Sequence, residues 1–196
     1  TQYTVTESDY TSEGYVTTYT ENEGVISNGS NNQISYTNTY DLAPITATFT
    51  AEKKVEGPTI TDDTFTFELY KDKVEGTPLD TKTITGNGTV DFAEQTYEAT
   101  GTYTYKIVEK AGSTPGYTYD ASVYTVIVEV TDIGGKLESK VTYVKGEDKN
   151  SDAVPYEATT DKEAEAEKEA LTAAVFTNTY KPAKTIATFT AEKKVE

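Results

Sequence analysis

Three polar residues stand where strand alternation calls for apolar ones, and together their types can make a covalent bond. Residues 47–55 place Ala47, Phe49, Ala51, Lys53 and Val55 on one face of a β-strand. In the same way residues 101–110 align Tyr103, Tyr105, Ile107 and Glu109, and residues 174–180 align Ala174, Phe176, Asn178 and Tyr180. A Lys or a Glu buried alone is costly. If the three side chains meet in a dry interior, desolvation lowers the pKa of the amine and raises that of the carboxyl, so both become neutral. A neutral amine is a nucleophile. A protonated carboxyl can polarise the Asn carbonyl and carry protons as ammonia departs. The product is a Lys53–Asn178 isopeptide crosslink with Glu109 as its catalytic carboxyl. Taken singly, each residue also has a plain reading, with Lys53 a charge that blunts an edge strand and Glu109 its surface partner. Lys54 has the wrong parity for the core and ranks second as the amine.

The elements that would position these groups are short strands. Phe65, Phe67 and Leu69 share a face in 63–70, and Tyr124, Val126, Val128 and Val130 share one in 122–131. Residues 136–145 pair with the latter across Asp132 to Gly135, while TKTI and TVDF flank the turn GNG at Gly86 to Gly88, read as a hairpin turn. GNG is not a phosphate loop, because no helix follows it. The spacing of strands and turns predicts an all-β, Greek-key sandwich. One segment breaks the pattern. DKEAEAEKEALTAA, residues 161–174, is rich in helix formers and reads either as a short helix or as a solvated charged loop.

Composition agrees and excludes much else. The 196-residue chain has a formal net charge of -16, no His, no Cys, no Met and no Trp, and its 17 basic residues are all Lys. Without Cys there is no disulfide or thiolate chemistry, and without His neither a Ser-His-Asp centre nor a His-ligated zinc site can be built. The acidic field repels phosphate, so neither nucleic acid nor an anionic lipid surface is an expected partner. Thr is roughly a fifth of the residues and Tyr supplies 16 of the aromatic side chains, a strand-forming composition. No apolar run is long enough to cross a bilayer, and no basic-then-apolar signal segment opens the chain. No cofactor and no metal are expected. Asp148, Asn150 and Asp152 have the D-x-N-x-D form of a calcium loop but lack its Gly and late Glu, and read as a turn.

Internal repeats set the organisation. ATFTAEKKVE occurs at 47–56 and again at 187–196, and TNTY at 37–40 and again at 177–180, both at an offset of 140 residues. Each TNTY is followed by a six-residue, Pro-containing connector and then by the ATFTAEKKVE string. Residues 1–40 therefore read as the C-terminal part of one β domain, 41–46 as a linker and 47–180 as a complete module. A second linker at 181–186 leads to 187–196, the first strand of a following module. The start on Thr1 and these part-modules make the chain read as a piece of a longer one.

The residues that carry the proposed chemistry also resemble a known group. A Lys in AEKKVEG, a Glu in YKIVE and an Asn in FTNTY are similar to the CnaB-like and FctA-type domains of Gram-positive pilins and surface adhesins. FTFELY, GTYTYKIVE, GYTYDASVYTVIVEV and VFTNTY, in that order, extend the resemblance along most of 47–180. It implies an immunoglobulin-like sandwich and a spontaneous intramolecular isopeptide bond, with Lys53 the amine, Glu109 the catalytic carboxyl and Asn178 the acceptor. In residues 1–40, Tyr3, Val5 and Glu7 match the Glu strand and Asn38 matches the Asn strand, 31 residues apart rather than 69. That site has no Lys strand before it in this sequence, and Lys193 has no Glu or Asn after it. Truncation of a longer repeat protein accounts for both gaps. So does completion of the Glu7/Asn38 module by Lys193 of another copy, through strand addition.

The function this implies is a structural stalk or pilin-like repeat of an extracellular fibre, at the cell wall or pilus, whose partners are neighbouring modules or head-to-tail copies of itself. The alternative is an adhesin module that recognises a host glycan or protein. A turnover enzyme is not expected, because the chemistry happens once and consumes its own side chains. No sorting motif of the LPxTG kind occurs in the sequence.

Overall fold

The computed structural model describes residues 1–29, 31–58, 63–146, 171–184 and 186–195. Among the described residues the chain is all-β, with a single 3-10 turn at Thr11–Glu13. The first four strands are β1 (Gln2–Thr4), β2 (Tyr15–Tyr19), β3 (Glu23–Val25) and β4 (Tyr36–Tyr40). The next six are β5 (Ile45–Ala47), β6 (Thr50–Glu56), β7 (Thr64–Lys71), β8 (Asp80–Thr85), β9 (Gly88–Asp91) and β10 (Gln95–Tyr97). The remainder are β11 (Gly101–Lys110), β12 (Tyr117–Thr118), β13 (Val123–Asp132), β14 (Leu137–Gly146) and β15 (Ala174–Tyr180).

Two sheets form the sandwich. One runs β14-β13-β11-β7-β8 and the other β12-β15-β6-β9. The chain passes between them at β6 to β7, β8 to β9, β11 to β12 and β12 to β13, giving crossed rather than simple hairpin connections. Alternation explains what lies between them. Phe65, Phe67 and Leu69 from β7, Tyr105 and Ile107 from β11, and Val126, Val128 and Val130 from β13 face Phe49, Ala51, Val55, Ala174 and Phe176, all of them buried. A fully buried side chain of this size is worth about 1.5–3 kcal/mol, so this interior is the main source of stability and the most expensive place to leave a charge. A smaller apolar cluster of Tyr70, Val108 and Val123 covers part of the outer face of the five-stranded sheet.

The ends of the sandwich meet in the middle of one sheet. β6 and β15 are parallel neighbours, with Phe176 opposite Lys53 and Asn178 opposite Val55. Just beyond β6 the backbone comes so close to Tyr180 that a Cβ on Gly57 would lie 2.4 Å from the Tyr180 carbonyl oxygen, which is why the position has no side chain.

Four expectations change. The strand over 47–55 is interrupted after Ala47: β5 pairs with β10 while β6 pairs with β9 and β15, so the chain switches partners at Thr48 and Phe49 while the five odd-numbered side chains stay buried. GNG is a corner rather than a hairpin, because β8 belongs to one sheet and β9 to the other, and the Asn87 side chain accepts from the Val55 N–H at 2.8 Å. Glu7 lies past the end of β1, whose register with β3 stops at Thr4. Residues 187–195 form no strand here, and Phe189 is 92% exposed. The helix or loop reading of 161–174 falls largely outside the described residues, with Leu171 already bridged to Tyr143 and β15 starting at Ala174. The Asp148, Asn150 and Asp152 turn lies outside them entirely.

Candidate functional site

Among the described residues four polar or charged side chains are buried, Lys53, Lys106, Glu109 and Asn178, and three of these converge in the core. β6 delivers Lys53, its fourth residue, on a face that is otherwise Ala47, Phe49, Ala51 and Val55. β11 delivers Glu109 after Tyr105 and Ile107, and β15 delivers Asn178 after Ala174 and Phe176. Lys53 Nζ donates to Glu109 Oε2 at 3.0 Å and to the Phe176 carbonyl at 3.3 Å, with its ammonium position 4.8 Å from the Phe65 ring centre. Asn178 Nδ2 donates to Glu109 Oε1 at 2.6 Å. The carboxyl thus touches both other groups, one through each oxygen.

Burial decides the charge state. Desolvation lowers the pKa of Lys53, offset in part by the hydrogen bond and charge of Glu109. Desolvation raises the pKa of Glu109, offset in part by Asn178 and Lys53. Both shifts favour the neutral pair, because an ion pair with no water around it recovers too little of the solvation each charge has lost.

Reasoning from side-chain types missed Asp120. Its backbone N–H donates to Asn178 Oδ1 at 2.7 Å. An N–H can only donate, so this contact fixes which end of the amide is oxygen. The sequence reading put the carboxyl of Glu109 on the Asn178 carbonyl. In the structure Glu109 faces the amide nitrogen, and the Asp120 N–H holds the carbonyl. The Asp120 side chain anchors this loop by accepting from the Ser122 N–H at 2.8 Å and the Thr177 N–H at 2.9 Å. Burial pushes the Asp120 carboxyl up, but those hydrogen bonds, with the charge of Lys145, outweigh it and hold it below the ordinary carboxylate range. The legible signal was Asp-Ala-Ser at the start of a strand, the pattern of a side chain bonding its own backbone two residues on.

The other candidates are placed differently. Lys54 points outward and pairs with Glu52 at 3.3 Å. Lys106, whose burial sequence parity gave no reason to expect, donates to Thr125 Oγ1 at 2.8 Å on the far face of the sheet. Glu7 and Asn38 are together, with Asn38 Nδ2 donating to Glu7 Oε1 at 3.0 Å, but both are exposed. Lys193 is exposed. No group of three or more Asp or Glu able to hold a metal ion occurs among the described residues.

A β-sandwich that buries a Lys and an Asn, each hydrogen-bonded to the same buried Glu from three strands, has the architecture of an isopeptide-type domain. The match to FctA, the Spy0128-like isopeptide containing domain, covers residues 49–181, and the chain belongs to that family. Among solved structures it is similar to the major pilin from Streptococcus pyogenes, at 20% identity and a TM-score of 0.45, covering 68% of this chain and 50% of that one. It is also similar to the T-13 major pilin from Streptococcus pyogenes, at 18% identity and a TM-score of 0.46, covering 70% of this chain and 54% of the other. The chain thus spans about half the length of these pilins. Comparison with curated proteins finds no match.

Proposed function

We propose that this chain is a load-bearing repeat of an extracellular Gram-positive surface fibre, with 47–180 its complete module, and that Lys53 and Asn178 join in an autocatalytic isopeptide bond. The observation that carries this reading is the dry hydrogen-bonded chain Lys53–Glu109–Asn178. Lys53 Nζ attacks Asn178 Cγ; the Nζ–Cγ bond forms, the Cγ–Nδ2 bond breaks, and Nδ2 leaves as ammonia. Glu109 takes the proton from Nζ at Oε2 and returns one to Nδ2 at Oε1, ending unchanged. The Asp120 N–H meets the charge that develops on Oδ1. Atoms balance without a cofactor, and the product removes the buried amine that made the site unstable. The reaction runs once per molecule, so the module is a structural part and not a turnover enzyme. Its partners are neighbouring modules of the same fibre at the cell wall or pilus. Intact mass spectrometry of denatured protein tests the reading: a deficit of one ammonia is expected, restored to the sequence mass in Lys53→Ala, Glu109→Ala or Asn178→Ala, and a wild-type mass without the deficit contradicts it.

Two kinetic predictions follow from the geometry. The rate of ammonia loss on refolding should be bell-shaped in pH. At low pH Lys53 gains a proton and stops being a nucleophile; at high pH Glu109 loses its proton and stops being an acid. Between the two apparent pKa values of the coupled pair the single shared proton is correctly placed, and the rate is flat. A rate that rises steadily with pH, as for a solvated lysine, counts against the buried neutral pair. The second concerns Asp120. Asp120→Pro deletes the N–H and should slow bond formation about 100-fold, as loss of one oxyanion donor does. Asp120→Asn keeps the N–H and should react faster than Asp120→Pro, whereas equal rates in the two would remove the backbone donor from the mechanism.

A further inference from the structure

The connector between the N-terminal segment and the sandwich has almost no slack. Asp41 is tied to the segment, its N–H donating to the Gly14 carbonyl at 2.8 Å. Leu42, the next residue, packs against the apolar interior of the sandwich, and Ile45 already lies in β5, opposite Tyr97 of β10. Adjacent residues are therefore anchored on opposite sides of the joint. Only Ala43 and Pro44 remain between Leu42 and β5. The proline ring fixes its own φ and keeps the residue before it extended, so neither is a free pivot.

Two glycines interlock beside this connector. The turn that joins β13 to β14 carries Gly134 and Gly135, at φ of 61° and 81°. Backbone conformation accounts for both glycines, but only Gly135 is also required for space. A Cβ on Gly134 meets no atom of the described residues within 4 Å, whereas one on Gly135 would overlap the Glu13 carbonyl carbon and the Gly14 nitrogen. Gly14 is buried, and three parts of the chain meet there: a Cβ would lie 2.9 Å from Tyr40 Cε2, 3.0 Å from Gly135 Cα and 3.2 Å from Leu42 Cδ2. The Asp132 carboxylate serves both sides of the joint. Its Oδ1 accepts from the Gly135 N–H at 2.9 Å, closing the turn, and its Oδ2 accepts from the Tyr40 hydroxyl. Tyr40 is held for that bond by Tyr15, opposite it in the β2–β4 ladder, the rings edge to face with centres 5.0 Å apart.

We infer that the β13–β14 turn is a docking surface for the segment that precedes the sandwich, occupied by Glu13, Gly14 and Tyr40 of the same chain, and that it locks residues 1–40 and the sandwich into one pose. Small contacts between folded units ordinarily leave them free to move. Here the contact is small, but the connector gives no length for motion. Swinging the segment away from the turn breaks the Tyr40–Asp132 bond and then draws Leu42 out of the interior, at the cost of exposing its apolar surface. The joint therefore resists bending and carries the two parts as a single rod. The Lys53–Asn178 bond lies inside the sandwich and does nothing for this. Because the joint uses none of Lys53, Glu109 and Asn178, it stands or falls apart from that reaction.

Distances between two spin labels test this on the full chain, which has no Cys of its own. Labels placed through Thr18→Cys in β2 and Lys140→Cys in β14, both exposed positions, span the joint. This labelled parent is expected to give a single narrow distance distribution. Gly135→Ala should shift the distribution or widen it about twofold or more, because the added methyl displaces Glu13 and Gly14 and frees the segment. Gly134→Ala is the control: it places the same methyl at positive φ in the same turn but touches nothing across the joint, and it should keep the parent distribution. Tyr40→Phe removes the hydroxyl and leaves the turn's backbone alone, and should also widen the distribution, which covers the case in which Gly135→Ala fails to fold. A broad distribution in the parent overturns the inference, as do distributions in Gly135→Ala and Tyr40→Phe that match that of Gly134→Ala.

Discussion

Replacing Glu109 by Gln is expected to lower the melting temperature of the 47–180 module by roughly 15–20 °C, the fall given by losing about 5 kcal/mol in a domain of this size. The substitution keeps the shape of the side chain and its ability to contact Lys53 Nζ and Asn178 Nδ2, but not its ability to carry a proton between them. The bond then fails to form while the packing around it stays. In the chain-entropy view, a crosslink from residue 53 to residue 178 closes a loop of 125 residues and restricts the unfolded state. The variant should also retain its buried amine, whose desolvation opposes folding. Differential scanning calorimetry of both proteins at neutral pH reads the shift, and equal melting temperatures contradict the account.

Under force the difference should be larger still. A load applied across the module enters at the start of β6 and leaves at the end of β15. These strands are parallel neighbours from Ala174 opposite Ala51 to Thr179 opposite Glu56. Without a covalent tie, pulling shears that ladder, and everything between the two strands unravels. With Lys53 bonded to Asn178 the tension bypasses the intervening chain. Single-molecule pulling should therefore give no unfolding step from residues 53 to 178 in the wild type and a step of about 400 Å in Glu109→Gln, from the extended length of 125 residues. A step of that size in the wild type would show that the bond is absent or carries no load.

Much of this was legible because alternation is a strong signal when an interior is dry. Ala47, Phe49, Ala51, Lys53 and Val55 were read as one face from parity alone, and all five are buried. The break at Thr48 and Phe49 was not legible, because a strand that changes partners keeps its pattern while its neighbours change. GNG misled for a similar reason. A turn sequence reports a reversal of the chain but not whether the flanking strands share a sheet. Lys106 could not be anticipated, since its burial depends on what covers the outer face of β11 beside Tyr70 and Val108. Asp120 escaped because its contact with Asn178 is made by a backbone N–H, a group that every residue but Pro possesses. The repeats, by contrast, brought Glu7 and Asn38 into view, and the structure joins them by a hydrogen bond. The sequence left Lys193 without a Glu or Asn partner, but alternation could not say whether its segment forms a strand: the string that is a central strand at 50–56 is exposed coil over 190–195.

The central claim is a bond between two named atoms, and peptide mapping reads it. Proteolysis of the denatured wild-type chain followed by tandem mass spectrometry should yield a branched peptide in which Lys53 Nζ is joined to the side-chain carbonyl of Asn178, and no such species from Glu109→Ala. Recovery of Lys53 and Asn178 only in separate linear peptides, from protein that had been folded, would contradict the account.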